Sequence, residues 1–230
     1  MKKLIFLILL LPLVSNASIF KNLKQLREGA YQKLNFESKQ SDSVLCNDSI
    51  WNVFVNDAVL QTSVDADCIE AQKRITLTNN QYSKLVDTAI SKFLWVIKAE
   101  NRTMVPLKHW PVAFLEEKVG DTTNLPAGFP GAWWQNADSL NFFPPSVKTD
   151  TFLVGYSKKA KYLSSDTVTT DLPIKTREIA LLYVCYLFKS RVGLLTDADW
   201  WYAKYAAAIQ NWRTVNRREP YDIIQSPDTK

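Results

Sequence analysis

"SLNFFPPSVKTDTFLVGYSKKAKYL" (residues 139–163) sets two short apolar stretches on either side of Pro144-Pro145, the second running into a basic segment with two tyrosines. Proline cannot donate to a central ladder, so the two prolines read as a break between two strands. Side chains alternate along a strand, which puts Phe152, Val154 and Tyr156 on one face and Leu153 and Gly155 on the other. The expectation is two strands separated by the prolines, with lysines after the second.

Working upstream, "AISKFLWVIKA" (89–99) alternates Phe93, Trp95 and Ile97 with Leu94, Val96 and Lys98, as in a strand buried on most of both faces. "NRTMVPL" (101–107) follows as its hairpin partner. "CIEAQKRITLTNNQYSKL" (68–85) carries alternating Ile75 and Leu77 ahead of a Thr-Asn-Asn-Gln turn, so strands begin near Ile69. "PVAFLEEKVG" (111–120), with proline at one end and glycine at the other, reads as a short helix. The Pro-, Gly- and Trp-rich stretch 121–138 reads as a loop.

Helices flank this region. "IFKNLKQLREGAYQKL" (19–34) places Phe20, Leu23, Leu26, Tyr31 and Leu34 near helical spacing, weakened by Gly29. In "NDSIWNVFVNDAVLQTSV" (47–64), Asn47, Asp48 or Ser49 can cap a helix that repeats Trp51, Phe54, Val55, Ala58 and Thr62 on one side. "PIKTREIALLYVCYLFKSRVG" (173–193) has Pro173 at its start, Gly193 past its end and an apolar run over 179–188, the pattern of a central helix. "TDADWWYAKYAAAIQNWRTVNRR" (196–218) opens on Thr196-x-x-Asp199, a capping-box variant, and carries Ala203, Ala206, Ala207 and Ala208. The short break at 193–196 predicts an antiparallel pair of these last two helices. The fold class read from this order is α+β: a bundle of about four helices with a small inserted antiparallel sheet over about 69–163. The domain plan is a leader at 1–17, one domain over 18–216, and an arm or tail at 217–230.

The 230 residues are 47% hydrophobic, enough for a packed core, and the net charge of +5 does not by itself argue for nucleic acid. "MKKLIFLILLLPLVSNAS" has two lysines, an apolar run too short to span a bilayer comfortably, and small residues at Ser15 and Ala17, the form of a secretory signal. Three cysteines, Cys46, Cys68 and Cys185, leave the compartment open: the first two can pair, and all three equally suit reduced, buried thiols.

No catalytic or cofactor signature emerges. The single histidine, His109, has no nucleophile motif beside it, and one His with three scattered Cys gives no metal-ligand spacing. Six glycines form neither a Walker loop nor G-x-G-x-x-G. Glu116-Glu117 reads as a solvated helix face, and Asp197 with Asp199 as a complement to a helix dipole. Lys158, Lys159 and Lys161, with Tyr156 and Tyr162, can meet phosphate, as can Arg213, Arg217 and Arg218, though such clusters are also ordinary solvated surface. Trp133, Trp134 and Trp200 stand as candidate interface anchors, with intrachain core as the alternative.

Three of these stretches, in order, resemble the head–tail connector or adaptor proteins of tailed phages, in particular the tail tubular protein A group. "SIWNVFVNDAVLQTSV" is similar to the family's early helix in Trp51, Val55, Asn56 and Ala58. "LNFFPPSVKTDTFLVGYSKKAKYL" is similar to its strand–Pro-x–strand hairpin with a basic, tyrosine-containing end. "LPIKTREIALLYVCYLFKSRVGLLTDADWWYAKYAAAIQNWR" is similar to its closing helix pair. The likeness covers about residues 22–216. It implies a non-enzymatic ring, usually of twelve copies, assembled in the host cytoplasm and seated in the virion between a portal protein and a tail or nozzle protein. Genome DNA would pass through the lumen, and no catalytic residue or cofactor would be needed. The leader departs from that family and supports a second reading, an exported envelope or periplasmic binding protein with a cleaved signal.

Overall fold

The computed structural model describes residues 20–34, 47–85, 89–100, 103–111, 127–136 and 139–216. The leader at 1–17, Cys46, all but the start of the helix expected over 111–120, Arg217, Arg218 and the arm at 217–230 lie outside the described residues. The chain forms two compact units, one from residues up to Ala66 together with 160–213, the other centred on Asp67–Lys159.

The first unit is helical. Asn22 caps α1 (Leu23–Lys33): its side chain accepts from the Gln25 N–H at 3.0 Å, and the Gln25 side chain accepts from the Lys21 N–H at 2.8 Å. Asn47 caps α2 (Asp48–Asp65) through the Ser49 N–H. The helix α3 (Ile174–Arg191) starts after Pro173 and ends before Gly193, whose φ of +78° is a left-handed conformation that glycine adopts without a Cβ penalty. The helix α4 (Leu195–Asn216) begins one residue before Thr196, so the expected cap residue lies inside its first turn. In the core shared by α1, α2 and α3, Trp51 stacks on Phe188 with centroids 4.9 Å apart and takes the edge of Tyr31 at 4.6 Å. Gly29 is used for packing: the Phe20 ring and the Leu181 side chain occupy the space a Cβ would need.

The second unit corrects the sequence reading. It is not a small insert beside a helical bundle: two four-stranded sheets face each other, making the chain an α+β protein with a substantial β unit. One sheet has the order β1-β8-β3-β4, from β1 (Glu70–Leu77), β8 (Asp150–Lys158), β3 (Ile90–Glu100) and β4 (Thr103–Pro106), with all neighbours antiparallel. The other has the order β2-β7-β6-β5, from β2 (Ser83–Leu85), β7 (Ser139–Phe143), β6 (Ala132–Asn136) and β5 (Lys108–His109), and its β5–β6 pair is parallel. Ile75, Phe93, Trp133, Phe142, Phe152 and Val154 belong to the core between them.

The expected hairpin at Pro144-Pro145 is also corrected, because β7 and β8 belong to different sheets. The prolines mark the crossing from one sheet to the other, and the strands meet through the core, where Phe142 and Phe152 rings lie 4.8 Å apart. The loop expected over 121–138 contains β6, whose first three residues are all buried and so lack the alternation that announces a strand. In β3 a register shift between Phe93 and Trp95 breaks the alternation, so Phe93 and Val96 both join the core. Trp95 instead lies across Gly155, filling the space a side chain there would take.

Candidate functional site

His109, at the β5 edge, packs its ring 4.5 Å from Trp133, and its pKa is lowered by partial burial and then by Lys92. Among the described residues no group of three His, Cys, Asp or Glu side chains is placed to hold a metal, and no helix is long and apolar enough to cross a membrane. Cys185 is buried in α3, where desolvation pushes its thiol up to about 12. Asp197 receives Lys189 Nζ at 2.9 Å, a contact that ties the start of α4 to the end of α3.

The basic segment after β8 is held by α2. Ser63 Oγ accepts from the Ala160 N–H at 2.9 Å, and Asn56 Oδ1 accepts from the Leu163 N–H at 2.7 Å. The Asn56 amide also donates to the Leu163 carbonyl at 3.3 Å, so this buried Asn reads both backbone groups of one residue. Leu163 is buried at the second of these anchors, whereas Lys161 and Tyr162, between the two, are exposed. Lys159 is exposed and Lys158 half-buried, each fixed by a backbone bond in the β unit, to Ala89 and Ile69 respectively. The Asn of the "VFVNDA" stretch therefore shapes the path of the lysine segment, a role that its position in sequence alone does not reveal.

The other basic candidate has a structural engagement. Arg213 Nε donates to the Asp65 carbonyl at 2.6 Å, beside Trp212 Nε1 donating to the Ala66 carbonyl at 3.1 Å, so both satisfy groups at the C-terminal end of α2. Tyr205 adds a third contact, its hydroxyl donating to the Asp65 carboxylate at 2.6 Å. Its pKa is raised, by burial first and then by the bond to Asp65. Tyr183 packs against Tyr205 at 4.8 Å and Tyr186 against Tyr202 at 5.2 Å, which lays α3 and α4 antiparallel ring against ring.

The tryptophans divide. Trp133 is 3% exposed and sits in the sandwich core, Trp134 is 8% exposed, and Trp200 is 52% exposed. Of the three, Trp200 presents ring surface to solvent, with Lys204 Nζ 3.6 Å from its ring centroid. It lies on α4, a helix of 22 residues that buries only Ala198, Tyr205 and Ile209. Ala203, Ala206 and Ala207 are exposed on the same helix.

A scan against models of protein families finds no match, and a search of curated proteins finds none.

Proposed function

We propose that this chain is a non-enzymatic structural adaptor of a tailed phage, forming an oligomeric ring between portal and tail through which genome DNA passes. The three ordered stretches that resemble the connector family supply the reading. The observation that carries it is α4: a 22-residue helix held to its unit by Lys189–Asp197 at one end and by Tyr205, Trp212 and Arg213 toward the other, with one side left open. A long helix in water gains most of its stability from packing an apolar face, and neighbouring copies in a ring would cover the open side. Recognition in such an adaptor rests on shape and on aromatic anchors, for which Trp200 is placed. The lysines after β8 supply positive charge suited to non-specific phosphate contact, a role that base-reading chemistry is not needed for.

Two measurements on the natural particle test this reading. Mass spectrometry of purified virions should find the chain in several copies, and it should co-sediment with portal protein in vitro. Absence from virions together with no portal binding would refute the assignment.

A further inference from the structure

Among the described residues, two unlike faces of the helical unit are left open, and their chemistry matches. On α2, Val53 and Leu60 are 49% and 43% exposed, and exposed Asp57 lies between them, so the three form one stripe at i, i+4 and i+7. On α4, Trp200, Lys204 and Ala207 are all exposed and repeat the same i, i+4, i+7 spacing. Each stripe is apolar at both ends with one charge in the middle, acidic on α2 and basic on α4. Laid side by side in either direction, the stripes put Lys204 against Asp57. The same docking sets a small alanine against a large aliphatic at one end and the Trp200 ring against an aliphatic at the other.

We propose that these faces dock on each other between copies, α4 of one chain against α2 of the next. This rests on the adaptor reading and names the surface by which its ring is built. The occupant is a second copy because the two charges complement each other and both faces belong to one chain. A contact between unlike faces leaves one of each open on the outer copies, so it propagates, and it closes into a ring when the rotation between copies divides a full turn. A self-complementary contact would stop at a dimer.

Charge reversal tests the pairing, since both residues are exposed and far-UV circular dichroism can check that each variant folds as the full chain does. Mass photometry across a concentration series should show that Asp57→Lys and Lys204→Asp each raise the concentration needed for assembly by about tenfold or more, because like charges then meet at every interface. The Asp57→Lys/Lys204→Asp double variant should return assembly toward wild type. Mixing the two single variants should also assemble, with the copies alternating. Rings that form unchanged in both single variants, or a double variant no better than either single, would overturn this docking while leaving the adaptor reading standing. A wild-type chain that stays monomeric with and without portal protein would overturn both.

Discussion

Replacing Tyr205 by Phe tests how α4 is held. The buried hydroxyl donates to Asp65 at 2.6 Å, and Asp65 also receives the Gln61 amide at 3.0 Å to each oxygen. A hydrogen bond to a charged group contributes about 1.5–3 kcal/mol, so Tyr205→Phe should cost about 2 kcal/mol, Asp65 keeping Gln61 as a partner. Asp65→Ala should cost somewhat more, about 2–3 kcal/mol, because it takes the carboxylate from both the Tyr205 hydroxyl and the Gln61 amide. The double variant should fall short of the sum by about 1–2 kcal/mol, the coupling expected of groups in direct contact. Urea unfolding followed by far-UV circular dichroism on the four proteins gives these values. The pH dependence supplies a second readout. Burial, then the Asp65 bond, raises the Tyr205 pKa above its ordinary 10, so the folded state holds this proton more tightly than the unfolded chain. That stabilisation is complete below pH 10 and is lost as pH climbs above it, toward the raised folded value. Wild type should therefore lose stability above pH 10 more steeply than Tyr205→Phe. A coupling below about 0.5 kcal/mol with parallel alkaline limbs would refute this account of how the helix is held.

Three further perturbations bear on the β unit and the core. Gly155→Ala would drive a methyl into the Trp95 indole and should lower stability by about 1–3 kcal/mol; an unchanged melting temperature would show that Trp95 is free to move aside. Asp150→Ala removes the buried partner of Lys98, 3.3 Å away, and the acceptor of Ser146 Oγ, so calorimetry should record a loss of about 3–5 kcal/mol, whereas a loss under 1 kcal/mol would mean that the pair is solvated. Cys185, buried and pushed up to about 12, should resist iodoacetamide at pH 8 until denaturant is added, and rapid labelling of the native protein at Cys185 itself, located by peptide mapping, would contradict its placement.

Sequence pattern carried the helices further than the sheets. In α2 and α3 the apolar spacing and the punctuating Asn47, Pro173 and Gly193 are local signals, and the structure uses each as a helix boundary. The second sheet leaves little trace in the sequence because β2 and β5 are three and two residues long and β6 is buried from its first residue, so none presents a period of two. The crossing at Pro144-Pro145 illustrates the limit. Proline says that a ladder stops there, and whether the next strand joins the same sheet depends on distant partners, Glu70–Leu77 and Ile90–Glu100 for β8.

Among the site candidates, Trp133 and Trp200 look alike in sequence, and only the surroundings separate a core ring from an exposed one. Arg213 reads as part of a basic tail, yet the fold directs it to a helix end. Asn56 stands out in the sequence only within the "SIWNVFVNDAVLQTSV" likeness, and its partner is the backbone of Leu163, 107 positions along the chain. The stripes on α2 and α4 could have been found from spacing alone, had the packed sides of both helices been known.

We propose that this chain works as a ring between portal and tail. Electron microscopy of the full chain mixed with a portal protein from the same source tests this role most directly. The account predicts closed rings of the chain stacked coaxially on the portal; single copies that never associate with the portal at any concentration would contradict it.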